Sequence, residues 1–173
     1  VNKVLAGDEP FVSDNEDIRP MLETLRRLRE VLRAKRHRRG SIDFELPEIK
    51  VKLDAEGHPV ALVKRTGSIG ESIIEECMLI ANETVARHME LKDEPFVYRV
   101  HETPTAEKIE RFQSLLAALG LRLNVGEDGK VQPRDIQAVL DRVKGAPEER
   151  IIGAVALRSM QQARYSTQSL GHF

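Results

Sequence analysis

Several features that would mark a function at once are scarce or missing in this chain of 173 residues. It has one cysteine and no tryptophan, and aromatic residues make up 4% of the sequence. The single Cys77 excludes an internal disulfide, and its place in an apolar helix pattern indicates a buried core thiol. No run of about 18 apolar residues occurs, so the sequence predicts no membrane span. The net charge of −1 is not typical of a free-standing nucleic-acid binder.

The sequence also has few of the patterns that hold metals or phosphates. It contains no His-x-x-x-His, no cysteine pair and no dense aspartate cluster. The glycines are scattered, so no glycine-rich phosphate loop is predicted, and no Gly-x-Ser-x-Gly nucleophile motif is present. We therefore expect neither a complete metal site nor a catalytic nucleophile in this chain.

What is present suits one α+β domain, mostly helical with a small antiparallel β unit. The apolar fraction of 40% can build a core, and 32% charged residues give an ordinary surface. Residues 166–173 look irregular. Asp54-Ala55-Glu56-Gly57 is a turn signal within the β structure, and Gly40 is predicted to end the first helix. Periodicity, caps and turn residues predict helices over about 17–35, 69–91, 105–119, 133–144 and 147–163, β structure over 41–65, and a strand over 96–101.

The helix predicted over 69–91 has a wide apolar face, which indicates that it is well buried. Ser68 and Glu71 have the spacing of a capping box at its start. Glu75 and Asn82 are seven residues apart and project within about 20° of each other. Charged and polar groups beside a core need partners, which could be backbone amides, an arginine or ligand hydroxyls. The plainer alternative is that Glu75 or the adjacent Glu76 pairs with a nearby basic residue.

The strand predicted next places Arg99 and His101 on one face and Tyr98 on the other. An arginine and a histidine that face together could hold a phosphate or a carboxylate. A single histidine is also often a satisfied structural group, and both interpretations remain open here. The basic run 33–39 could contact phosphates or could simply favour the C-terminal end of a helix dipole.

Four blocks in order resemble the ribonuclease II/ribonuclease R family, and ribonuclease R most. They are RRGSIDF at 38–44, SIIEECMLIAN at 72–82, YRVH at 98–101, and the segment 157–173, which begins LRSM and ends GHF. The resemblance covers almost the whole chain. It implies that residues 1–173 form part of a catalytic domain whose aspartate cluster lies upstream and whose arginine-rich segment lies downstream. With no initiator methionine, we expect an internal piece of a longer protein.

The resemblance implies a processive hydrolase that degrades single-stranded RNA from the 3′ end to nucleoside 5′-monophosphates, with magnesium held by the aspartates. We expect this chain to line the RNA channel, to hold no cofactor and to be inactive alone. We also expect a cytoplasmic setting, no membrane partner, and self-association through exposed apolar surface. The alternatives are a non-catalytic RNA-binding or helical interaction module, or a purely structural scaffold.

The resemblance also implies which residues meet the substrate. The helix with Glu75 and Asn82 would border the channel, and an aromatic residue, either Phe96 or Tyr98, would clamp the terminal nucleotides. No residue is assigned to the chemical step or to a metal, and Arg158 and His172 have no identifiable partners within the chain. The predicted substrate-binding residues are Glu75, Asn82, Phe96, Tyr98, Arg99, His101, Arg158 and His172.

Overall fold

The computed structural model describes residues 1–42, 44, 48–65, 67–126 and 129–173. A 3₁₀ turn covers Ser13–Asn15. The main elements, in chain order, are α1 (Asn2–Leu5), α2 (Arg19–Arg39), β1 (Glu48–Leu53), β2 (Pro59–Arg65), α3 (Ile69–Lys92), β3 (Tyr98–Val100), α4 (Ala106–Ala118), α5 (Pro133–Val143), α6 (Glu149–Ser159) and β4 (Arg164–Ser166). Among the described residues, no helix is both long and apolar enough to cross a membrane. The predicted α+β class is confirmed.

The chain forms two compact units. The first contains Val1–Lys35 and Leu46–Asn82, and the second contains Arg36–Glu45 and Glu83–Phe173. The division falls within α2 and α3, so each of these helices contributes to both units.

The first unit has a small interior. Its most buried apolar side chains are Val4, Val12, Leu22 and Ile73. Two long-range hydrogen bonds join its segments. The Gly70 N–H donates to Asn2 Oδ1 at 2.8 Å, and Arg29 Nε donates to Ser72 Oγ at 2.9 Å.

The hairpin of β1 and β2 is antiparallel. Its turn is the one predicted: Asp54 Oδ1 accepts hydrogen bonds from the N–H groups of Glu56 and His58, and Gly57 has a φ of +87°. The register pairs Val51 with Leu62, so apolar side chains share one face of the hairpin. These side chains are exposed, Leu62 by 73%.

Helix α3 begins with the predicted capping box. The Ser68 N–H donates to Glu71 Oε2 at 2.8 Å, and the Glu71 N–H donates to Ser68 Oγ at 3.2 Å. Arg65 Nη2 lies 2.5 Å from Glu71 Oε1. The backbone hydrogen bond from Ser68, reinforced by the Arg65 guanidinium, lowers the pKa of Glu71 to about 2. These contacts stabilise the start of the helix.

The expectation that this helix is well buried is wrong. Ile74 is 68% exposed and Met78 is 53% exposed, and Val85 is half exposed. Ile73 and Glu76 are its buried residues. Apolar periodicity predicts that a helix has an apolar face, but other segments must supply what covers that face.

The second unit contains the larger core. Thr105 caps α4, since its Oγ1 accepts a hydrogen bond from the Lys108 N–H at 3.4 Å. Pro133 stands in the first turn of α5, which has a capping box formed by Gln132 and Asp135. The core side chains of α4, α5 and α6 and the loops between them are Ile109, Phe112, Leu116, Leu123, Val131, Ile136, Val139, Val143, Ile152, Ala156 and Met160.

Helix α6 ends before the predicted boundary at about residue 163. Its last residue is Ser159, and Met160 is already extended with a ψ of 154°. Strand β4 begins at Arg164, just past the predicted end of the helix, and overlaps the segment predicted to be irregular only at Ser166.

Candidate functional site

Strand β3 lies between two segments from the end of the chain. On one side it pairs antiparallel with β4. On the other side His101, the residue after β3, forms a parallel bridge with His172. The His101 N–H donates to the Gly171 carbonyl at 3.1 Å, and the Phe173 N–H donates to the His101 carbonyl at 2.8 Å. The C-terminal residues therefore join the second unit through backbone hydrogen bonds.

Four side chains share one face of this arrangement. Arg99 is the register partner of Tyr165, and His101 is the bridge partner of His172. Because residues 99 and 101 are two apart on an extended chain, all four side chains project from the same face. The rings of His101 and His172 lie 5.4 Å apart, in agreement with this geometry. We call Arg99, His101, Tyr165 and His172 the Arg99 face.

The opposite face of β3 turns toward the protein interior. Val100 is 2% exposed, and Phe173 packs against the core of the second unit. Tyr98 is half-buried, and its ring meets Phe96 edge-on at a centroid distance of 5.1 Å. The predicted separation of Tyr98 from Arg99 and His101 is confirmed.

Backbone carbonyls orient both histidines of the Arg99 face. His101 Nε2 lies 2.6 Å from the Gln161 carbonyl oxygen, and His172 Nδ1 lies 3.1 Å from the Arg99 carbonyl oxygen. A carbonyl can only accept, so these two ring nitrogens are assigned the protons. His101 Nδ1 and His172 Nε2 are the ring nitrogens left for other contacts. The contact with Gln161 agrees with the structural interpretation of His101, one of the two left open by the sequence.

Cationic and N–H groups also hold the end of α6. Lys108 Nζ donates to the Met160 carbonyl at 2.8 Å, next to the bond between His101 and Gln161. Met160 is the C-cap residue of α6 and Gln161 follows it, and a cation near a helix C-terminus complements the helix dipole. They fix the point at which the chain leaves α6 and enters β4.

The exposed members of the Arg99 face have complementary chemistry. Arg99 and His172 are exposed, and Tyr165 is 74% exposed. The adjacent Arg164 is held by Glu102, with Nε and Oε2 3.1 Å apart. A guanidinium, an imidazole and an open phenol ring side by side can receive an anionic group together with a planar apolar one.

Other predicted site residues lie outside this face. Glu75 and Asn82 are on the part of α3 that belongs to the first unit, and both are exposed. The expectation that they lie at a core boundary is wrong. Glu76 is the acidic residue that is buried, with 3% exposure, and it does not lack a partner. Arg158 is exposed in the last turn of α6.

Two features of the face differ from the sequence-based expectation. His172 was expected to have no identifiable partner within the chain, but it contacts both Arg99 and His101. Tyr165 was not among the predicted site residues. An alternation of polar, aromatic and polar residues over 164–166 was the signal that could have revealed it, because that alternation suits a short strand with an exposed aromatic.

The described residues do not suit a bound metal ion. Within residues 1–42, 44, 48–65, 67–126 and 129–173, no group of three or more His, Cys, Asp or Glu side chains is arranged to hold one. No reaction step through a metal ion can therefore be derived from the side chains of this part of the chain.

Comparison with known proteins gives consistent matches along the chain. The family model described as RNB domain matches residues 1–173. Ribonuclease R 1 of Lactococcus lactis is 40% identical over 173 residues, which are 100% of this chain and 21% of that protein. Ribonuclease R of Escherichia coli is 36% identical over 170 residues, or 98% of this chain and 21% of that protein. The chain thus spans about a fifth of the length of these relatives.

Solved structures agree with the sequence relatives. The apo form of Mycoplasma genitalium RNase R superposes with a TM-score of 0.90 at 27% identity, over 99% of this chain and 27% of that chain. The same protein in complex with ribose methylated single-stranded RNA gives the same values. The fold of this chain is therefore found as part of a larger protein.

Proposed function

Because the chain belongs to the RNB domain family, we propose that it is part of a hydrolytic exoribonuclease that removes nucleotides processively from the 3′ end of single-stranded RNA. The products would be nucleoside 5′-monophosphates. The observation that carries the proposal is the match along the whole chain to ribonuclease R proteins, one of which has been solved with single-stranded RNA.

In this proposal the chain holds RNA and does not perform the chemical step. The Arg99 guanidinium would donate to phosphate oxygens, since paired N–H donors suit phosphate geometry. The free ring nitrogen of His172 would accept from a ribose hydroxyl, and contacts to 2′-hydroxyls distinguish RNA from DNA. Glu75, Asn82 and Arg158 are exposed and are proposed as further substrate contacts.

The aromatic pair of Phe96 and Tyr98 is proposed to border the bound strand. Each ring is half-buried and rests on the other, so only an edge of the pair is open to a base. His101 is proposed to support the site, because its Nε2–H is occupied by the Gln161 carbonyl.

The magnesium implied by the family resemblance is proposed for the longer protein. Aspartates outside these 173 residues would hold it, since the described residues do not suit it. When bound, such an ion would activate water for attack on the terminal phosphodiester.

A cytoplasmic location is likewise proposed. The exposed apolar side chains of the β1–β2 hairpin support self-association, which sedimentation over a concentration series would detect.

Binding measurements test the RNA-holding role directly. Fluorescence anisotropy of a labelled single-stranded 12-nucleotide RNA would be titrated with the chain at several salt concentrations, next to DNA of the same sequence. We expect tighter binding of RNA. The Arg99→Gln variant is expected to lower the slope of log K against log salt by about 0.7, the value for one phosphate contact on a single strand.

Arg142→Gln is the matched control, because Arg142 is exposed in the last turn of α5, outside the Arg99 face. Its salt slope is expected to equal that of the unaltered chain. Equal binding of RNA and DNA, or equal effects of the two variants, would contradict the proposed role.

A further inference from the structure

Tyr165 is an unusual residue for this chain. The sequence has two tyrosines and no tryptophan. Of the two, Tyr98 is half-buried against Phe96, whereas Tyr165 is 74% exposed in the middle of β4. Removing a large aromatic ring from water is favourable, and folding leaves this ring mostly in water. A ligand that covers the ring would gain that free energy.

The backbone geometry brings Tyr165 close to Arg99. The His101 N–H and carbonyl both bond to the segment 171–173, and the Arg99 carbonyl faces the same side because it accepts from His172. Backbone groups alternate sides along a strand, so those of residues 98 and 100 face β4. The Arg99–Tyr165 pair is therefore of the non-hydrogen-bonded kind, in which opposite side chains approach most closely.

The strands that carry Arg99 and Tyr165 are both held in place. Tyr165 belongs to a strand that begins shortly after Met160 and Gln161, whose carbonyls are held by Lys108 and His101. Arg99 belongs to a strand whose next residue, Val100, is 2% exposed. An aromatic ring on such a support loses little freedom on binding, since tyrosine has only two side-chain torsions.

We propose that Tyr165 is a stacking platform for a base of single-stranded RNA, with Arg99 on the phosphate that adjoins the stacked nucleotide. This inference rests on the proposed RNA-holding function. It assigns to Tyr165 a base contact that the sequence resemblance gave only to Phe96 or Tyr98. Stacking is independent of base identity, so the site selects an unpaired base and not a particular sequence.

The scarcity of aromatic residues makes a direct optical test available. In a Tyr98→Phe variant, Tyr165 is the only tyrosine, and the chain has no tryptophan. Stacking on a base is expected to quench its emission as RNA is added, with the same midpoint as an anisotropy titration of that variant. In the matched Tyr165→Phe variant the remaining emission comes from Tyr98, and we expect it to change little.

Affinity gives the second readout. Tyr165→Ala is expected to raise Kd for the 12-nucleotide RNA by about five- to 150-fold, the range for loss of one base stack. Tyr165→Phe keeps the ring and is expected to retain the original Kd. The salt slope is expected to be the same in both variants, because no phosphate contact is removed. Phe11→Ala, which removes an exposed aromatic ring from the first unit, is the control for a general loss of aromatic surface.

The outcomes distinguish failure of the Tyr165 assignment from failure of the proposed RNA-holding function. If the unaltered chain binds RNA and Tyr165→Ala has the same Kd, the Tyr165 assignment is overturned and the RNA-holding function stands. The same conclusion follows if RNA quenches the emission of Tyr98 alone. Absence of RNA binding by the unaltered, folded chain would overturn both. Far-UV circular dichroism of each variant shows that the fold is retained.

Discussion

Two adjacent isoleucines on α6 allow the core of the second unit to be tested with one kind of substitution. Ile152 is fully buried at 0% exposure, whereas Ile151 is 53% exposed. Replacing Ile152 by alanine removes buried methyl and methylene groups and leaves a cavity, which costs about 2–5 kcal/mol. The same change at Ile151 is expected to stay within about 0.5 kcal/mol, because alanine is the better helix former and little burial is lost.

Urea unfolding followed by tyrosine emission measures this difference. Both tyrosines, Tyr98 and Tyr165, belong to the second unit, so their emission reports on that unit alone. With a slope of about 1–3 kcal/mol per molar urea, Ile152→Ala should lower the midpoint by at least about 0.7 M. Similar midpoints for the two variants, or a larger loss for Ile151→Ala, would refute the described packing of α6.

Two further predictions concern the ends of helices. Gly40→Ala is expected to destabilise the chain by more than the ~1–2 kcal/mol of a left-handed conformation, because its φ is +100° and an added Cβ would lie 2.6 Å from Arg134 Cβ. Gly120 has a φ of +71° and open space around it, so Gly120→Ala measures the cost of the left-handed conformation without a steric overlap. Equal urea midpoints for the two variants would contradict the predicted overlap at Gly40. The pKa of Glu71 is lowered to about 2 by the Ser68 backbone and Arg65, so its contribution to stability is present above pH 4.5 and is lost as pH falls toward 2. Carbon-13 NMR of the Glu71 carboxyl should titrate near pH 2, and a midpoint near 4.5 would contradict the capping contacts.

The elements predicted correctly depend on neighbours in sequence. The capping box of Ser68 and Glu71, the turn at Asp54 and the glycine end of α2 at Gly40 each follow from residues within about four positions of one another. Local side-chain chemistry determines such features, and the sequence contains all of it.

The expectations that were wrong depend on distant partners. Apolar periodicity identified α3 but not its exposure, since Ile74 and Met78 would need a covering segment that their own sequence does not specify. The helix predicted to about residue 163 ends at Ser159, where Lys108 and His101 bind the carbonyls that follow. Contacts between residues 52 and 60 positions apart in the chain cannot be read from either segment alone.

The same distinction applies to the candidate site. Alternation along 98–101 was sufficient to place Arg99 and His101 on one face, as the structure shows. The pairing of β3 with β4 and of His101 with His172 was not predictable. That pairing adds Tyr165 to the face and gives His172 its partners.

We propose that this chain holds RNA while the chemical step needs residues outside it. The most direct measurement is incubation of 5′-labelled single-stranded RNA with the chain, in magnesium and in chelator, with binding followed in the same samples. We expect bound RNA of full length under both conditions. A magnesium-dependent ladder that shortens from the 3′ end would contradict it, because a working metal site would then have to lie within these 173 residues.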